Sequence, residues 1–125
     1  VEPELGRERP TLLHEYPASQ AVLSRLSPDN PQVALRFELY IDGIELANAF
    51  DELTESSEQR QRFEKDNETR IERGDEAMPI DEALLGALDH MPRTAGAAMG
   101  LDRLVMFFAG TESIEEVMAF PQKWV

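Results

Sequence analysis

Four residues in one short stretch have the types that a polar binding site uses. Glu45, Asn48, Phe50 and Glu52 sit in Ile44-Glu45-Leu46-Ala47-Asn48-Ala49-Phe50-Asp51-Glu52-Leu53. On an extended strand, side chains point alternately to opposite faces, so Leu46, Asn48, Phe50 and Glu52 share one face. An amide, an aromatic ring and a carboxylate in a row describe a small polar pocket. An edge strand with a wetted face fits the same pattern, and spacing alone favours it, because single Asn and Glu residues on strands are usually just exposed. Glu45 has the opposite parity, so a regular strand turns it to the other face. A second group follows Thr94: small residues alternate at Gly96, Ala98 and Gly100, then Asp102-Arg103 opens an apolar helix. Small side chains on one strand face leave room for something flat or for close backbone approach. Arg103 in the first turn of that helix is a cation set against the dipole. Such a placement fits a bound anion such as phosphate, and equally an ion pair with a nearby Glu.

The elements that position these residues are readable from pattern. Asp42-Gly43 suits the positive φ angles of a tight hairpin turn. The run before it, residues 33–41, alternates apolar and polar residues as a half-buried strand does. A strand, a turn and a second strand over 44–53 are therefore expected. Thr11 to Pro17 reads as an earlier strand, ended by its proline. Residues 1–10, polar with Pro3 and Pro10, read as a loose lead-in. Residues 18–26 fit loop or short helix, and Pro28 and Pro31 enforce a loop. Ser56 or Ser57 is placed to cap a long polar helix through about Arg73, with Gly74 as its stop. In it, Glu58–Arg62 and Arg60–Glu64 are pairs four apart, and Phe63 and Ile71 are the few apolar anchors. Residues 80–91 predict a second helix capped by Asp81, with Ala83, Leu84, Ala87, Leu88 and Met91 as its buried stripe. Asp102 is expected to cap the last helix, and Leu104 to Phe108 to lie in the core.

Composition narrows the function classes. At 125 residues the chain is one domain or a piece of one, and 42% hydrophobic content suits a folded protein. No run approaches the ~18 to 20 apolar residues of a membrane span. With no cysteine, disulfide and thiolate chemistry are excluded, and the cytoplasm is the expected compartment. Net charge is −13, from 25 acidic and 12 basic residues. That balance opposes unaided binding to a nucleic-acid backbone and favours a cationic ligand, a divalent metal or a basic partner. His14 and His90 are too isolated for a zinc site. There is no phosphate-binding glycine loop of the Walker type and no Ser-His-Asp arrangement.

Together these stretches resemble the C-terminal part of class II aminoacyl-tRNA synthetase catalytic domains. Gly96-x-Ala98-x-Gly100-Leu101-Asp102-Arg103-Leu104 resembles their motif 3. Glu45-Leu46-Ala47-Asn48-Ala49-Phe50-Asp51-Glu52-Leu53, then Gln61-Arg62-Phe63, and the closing Ile114 to Pro121 resemble the lysyl branch. Tyr16-Pro17-Ala18-Ser19-Gln20-Ala21 and Gly43 to Asn48 are similar to the lysine ligases that modify elongation factor P (GenX/PoxA type), paralogues of lysyl-tRNA synthetase. The resemblance covers about residues 10–121. It implies an α+β fold with an antiparallel sheet flanked by helices. Residues 1–10 would be a lead-in and 11–125 the C-terminal part of the catalytic domain, with motif 3 at 96–108.

Carried over position by position, the resemblance implies catalytic roles for Arg103 and Glu45. Glu45 would hold Mg²⁺ bound to ATP. Arg103 would bind the γ-phosphate and stack near the adenine, and Gly100 would leave space for the nucleotide. Asn48 would contact the amino-acid head group, Phe50 would pack along the aliphatic chain, and Glu52 would pair with the side-chain ammonium. Lysyl-tRNA synthetases usually carry Gly where Ala98 stands. One added methyl would favour a β-amino acid, and pocket discrimination of this size is worth roughly 1 to 3 kcal/mol. The implied activity is ATP-dependent activation of lysine or β-lysine as an adenylate and transfer to a lysine of elongation factor P, by a homodimeric parent. Motifs 1 and 2 are not among these residues, so this part alone is expected to be inactive. The alternatives are a lysyl-tRNA synthetase fragment acting on tRNA(Lys), a non-catalytic lysine- or ATP-binding module, and an acidic interaction domain.

Overall fold

The structure, a computed structural model, describes residues 2–121. Of the lead-in and domain expected over 1–10 and 11–125, residues 1 and 122–125 thus lie outside the described residues. Four strands, β1 (Thr11–Pro17), β2 (Val33–Ile41), β3 (Ile44–Asp51) and β4 (Ala95–Met99), form one antiparallel sheet in the order β1-β2-β3-β4. Three helices, α1 (Ser56–Glu72), α2 (Glu82–Leu88) and α3 (Leu101–Ala109), complete the α+β architecture. No helix among the described residues is long and apolar enough to cross a membrane.

The chain separates into two compact units. The first comprises Val1–His14, Phe37–Ala49 and Ala97–Val125. Here the β2–β3 turn forms as its sequence predicts, with φ of 50° at Asp42 and 76° at Gly43. Residues 5–7, read as loose, are tied to that turn. Asp42 N–H donates to the Gly6 carbonyl (2.9 Å) and Gly43 N–H to Leu5 (2.7 Å), and Arg7 pairs with Asp42 at 2.7 Å. A side chain at Gly6 would place its Cβ 2.5 Å from the Tyr40 carbonyl, so the segment lies flat on β2. Tyr40 is buried, and burial, with its hydrogen bond to Glu38, pushes its phenol up to about 12. On β3, Leu46 and Ala47 are both buried, although a regular strand turns neighbours to opposite faces. Both faces of the strand are therefore covered there.

Helix α3 departs from expectation. Its N-cap is Gly100, not Asp102, and it ends at Gly110 in the left-handed conformation. Leu104 to Phe108 was expected in the core, but only Met106 is buried, while Phe108 is 77% exposed and Val105 46%. Apolar periodicity says what gains from burial; it does not say what is there to cover it.

The second unit comprises Glu15–Arg36 and Phe50–Gly96. Helix α1 packs against α2. Its N-cap is Glu55, without a side-chain hydrogen bond, so neither Ser56 nor Ser57 serves. Glu58–Arg62 forms as expected (2.5 Å), whereas Arg60 reaches Glu82 on α2 instead of Glu64. Phe63 is half-buried, Ile71 is exposed, and Gln59 is the buried residue of α1. Asp81 caps α2 as expected, accepting from Leu84 N–H at 2.9 Å. The helix is shorter than expected and buries Leu85 and Leu88, leaving Ala83, Leu84 and Ala87 exposed.

Urea unfolding separates the two kinds of α3 residue. Met106→Ala should cost about 2 to 5 kcal/mol, while Phe108→Ser should stay within about 0.5 kcal/mol of the parent.

Candidate functional site

In the first unit, the end of β4 meets β3 through backbone pairing, with Gly100 N–H donating to the Leu46 carbonyl at 2.9 Å. That bond sets the start of α3 beside Glu45. Arg103, one turn in, donates from Nη1 to the Glu45 carbonyl at 2.6 Å. Its guanidinium lies 3.9 Å from the Glu45 carboxylate, and both side chains remain substantially exposed. Of the two readings of Arg103, the structure bears on the ion pair: it has a Glu partner, held loosely. Gly100 serves this side chain directly. A Cβ there would lie 3.1 Å from Arg103 Cδ, so the room beside Gly100 holds the arginine stem. Asn48 is half-buried on β3 between buried Ala47 and Ala49, and Ala98 is exposed on β4. Among the described residues no cluster of three or more His, Asp or Glu side chains is placed to hold a metal by itself.

In the second unit, Glu52 follows directly after β3 and is half-buried. Its N–H donates to the Thr94 carbonyl (2.9 Å), and it bridges Ser24 on its other side. Across from it lies Gly96, where a Cβ would sit 2.5 Å from Glu52 Oε1. The glycine is what allows the carboxylate to lie flat over β4. Its neighbour Asp51 is satisfied by Arg93, whose Nη2 donates at 2.9 Å. No hydrogen bond or ion pair engages the Glu52 carboxylate among the described residues. Desolvation, and then the charge of Asp51, hold its pKa above the ordinary carboxylate value. Such a group favours the arrival of a cation.

Phe50 carries a cation already. The Arg36 guanidinium lies over its ring at 5.3 Å and over the Tyr16 ring at 4.2 Å, while its Nη1 donates to the Gln20 carbonyl at 2.9 Å. Sequence reasoning missed Arg36, Arg93 and the service of Gly96 to Glu52. The available signal for Arg36 was a single cation inside the apolar run of β2.

The Glu52 environment has a pH signature. With its folded pKa raised, the native state holds the proton more tightly, so stability falls as pH rises through that window. Glu52→Gln should therefore stabilise the chain at neutral pH, and the gain should vanish as pH drops below the ordinary value of 4.5. Gly96→Ala displaces only the end of a flexible side chain, so it should cost less than about 1 kcal/mol. In that background the pH-dependent gain from Glu52→Gln should shrink. Urea titrations across pH check both.

Curated proteins of one name are similar to this chain in sequence. The chain is 52% identical over 121 residues to the elongation factor P--(R)-beta-lysine ligase of Edwardsiella ictaluri, covering 96% of this chain and 37% of that protein. Proteins of the same name from Photorhabdus laumondii and Proteus mirabilis are 54% and 50% identical, over 96% and 97% of this chain and 37% and 38% of theirs. The chain thus spans little more than a third of the length of these relatives. A family model described as tRNA synthetases class II (D, K and N) matches residues 3–124, and with motif-bearing β3, β4 and α3 all inside that match, the chain belongs to the class II tRNA synthetase family.

Proposed function

We propose that the protein carrying this chain activates lysine or β-lysine with ATP as an adenylate and transfers the aminoacyl group to a lysine of elongation factor P. The observation that carries the reading is Glu52, a half-buried carboxylate of raised pKa with no ion-pair partner among the described residues, laid over Gly96. An ammonium at the end of an aliphatic chain supplies the missing charge, in a charge-assisted hydrogen bond. Phe50, its ring braced by Arg36, packs along that aliphatic chain, and Asn48 takes the head group. The relatives' printed names support a protein acceptor.

The residues present also fit a nucleotide. Arg103 spends Nη1 on Glu45 and keeps donors for a γ-phosphate. Glu45, held only at 3.9 Å, offers oxygens to Mg²⁺, which prefers carboxylate and phosphate oxygen ligands. Gly100 frees the space in which the Arg103 stem lies and keeps a side chain away from the nucleotide. When bound, Mg-ATP supplies the electrophilic α-phosphorus and the pyrophosphate leaving group. This chain contributes no nucleophile: its residues position groups and neutralise charge. In this reading, residues 11–125 form the C-terminal part of the catalytic domain, with motif 3 at 96–108, and the rest of a cytoplasmic, homodimeric enzyme supplies the remaining contacts. A pure lysine-binding module would need neither Glu45 nor Arg103.

Calorimetric titration of the full-length protein tests the reading. β-Lysine should bind more tightly than α-lysine, and Ala98→Gly should reverse the order. Glu52→Gln should weaken both by about 1.5 to 3 kcal/mol, the range for hydrogen bonds to charged groups. Tighter binding of α-lysine in both forms would instead support a lysyl-tRNA synthetase, and absence of lysine binding would reject the enzyme reading.

A further inference from the structure

A groove of about 800 Å³ lies in the second unit, between one side of α1, residues 18–22 and the segment that leads into α2. It is basic in a chain of net charge −13. Arg62, Lys65 and Arg70 line it from one side of α1 and Arg73 from the cap that follows, with the carboxylates of Asp66 and Asp81 also in the lining. Two of the four cations build the groove. Arg62 donates to the carbonyls of Val22 (3.1 Å) and Ser24 (2.8 Å), and Arg70 Nε donates to the Glu76 carbonyl (2.9 Å). The other two, Lys65 and Arg73, are exposed, and no ion pair engages them among the described residues.

The walls are fixed by two further devices. Asn67 clamps the backbone of Met78 from both sides, donating from Nδ2 to its carbonyl and accepting its N–H at Oδ1, each at 2.8 Å. Val22 has φ of 53°, a left-handed conformation that a β-branched residue rarely adopts. Arg62 holds that conformation through the Val22 carbonyl, and the valine side chain stays 55% exposed on the groove wall. Strain of this kind persists where surrounding structure enforces it, often at binding sites. Exposed Met78 stands on the facing wall, beside half-buried Phe63.

We propose that this groove docks an acidic segment of a partner protein, one that carries at least one large apolar side chain. Lys65 and Arg73 meet its carboxylates, and Val22 and Met78 meet its apolar residue. Charge complementarity selects the acidic occupant. The apolar walls and a single lining aromatic ring favour a peptide over a nucleic-acid strand, which uses stacked aromatic platforms.

Fluorescence anisotropy on the full-length protein, with a fluorescein-labelled peptide of glutamates and leucines, tests this. The peptide should bind saturably and more weakly as salt rises. Lys65→Glu with Arg73→Glu should weaken it by about tenfold or more, and Met78→Ser by a smaller factor. Both charge positions are exposed, and far-UV circular dichroism checks the fold; if the doubly reversed protein is unfolded, Lys65→Gln with Arg73→Gln makes the same comparison. Four results would overturn the proposal: no binding, equal binding of a glutamine-and-leucine peptide, undiminished binding by the charge variants, or displacement of the peptide by oligouridylate. Because the groove shares no residue with those proposed to contact lysine or ATP, failure here leaves that reading untouched.

Discussion

A missing methyl group governs where the Glu52 carboxylate can lie. At Gly96 no Cβ stands between β4 and the Glu52 carboxylate, which would otherwise be pushed aside by an atom 2.5 Å away. The carboxylate therefore lies partly desolvated, beside Asp51, whose own charge is taken by Arg93. A carboxylate partly withdrawn from water without a counter-ion carries a cost. In the proposed lysine site, an arriving ammonium relieves that cost and a neutral side chain of the same length does not.

The position of Arg103 rests on another glycine. Gly100 ends β4, caps α3, and leaves the space in which the Arg103 stem lies. Arg103 is thereby pre-set over Glu45, with its backbone contact short and its carboxylate contact long. An arginine in the first turn opposes the helix dipole. The Glu45 carbonyl and carboxylate offset that cost without consuming all of the guanidinium donors.

The parts legible in the sequence were those set by local backbone rules. Asp42-Gly43 announced the hairpin, the alternation of 33–41 announced β2, and the small residues before Arg103 announced a strand with room on its face. The edge position expected for 44–53 fell instead to β4, with β3 inside the sheet. What failed depended on partners distant in sequence. Arg60 chose Glu82 over Glu64 because α2 brings it within reach, and a pairing rule within one helix does not see that. Asp102 gave up the cap because the bond from Gly100 to Leu46 starts the helix earlier. The apolar run of α3 was expected in the core, yet Val105 stays 46% exposed and Phe108 77%. Glu45, Asn48, Phe50, Glu52 and Arg103 were singled out as candidate site residues by type, spacing and resemblance. The bracing of Phe50 by Arg36 was not, since it joins a residue of β2 to one of β3.

The most direct test is an NMR titration of the Glu52 carboxyl carbon in the full-length protein, with and without β-lysine. The account predicts a pKa above the ordinary carboxylate value in the free protein, moved down when the ammonium binds. A free-protein pKa at or below the ordinary value, or one that β-lysine leaves unmoved, would contradict it.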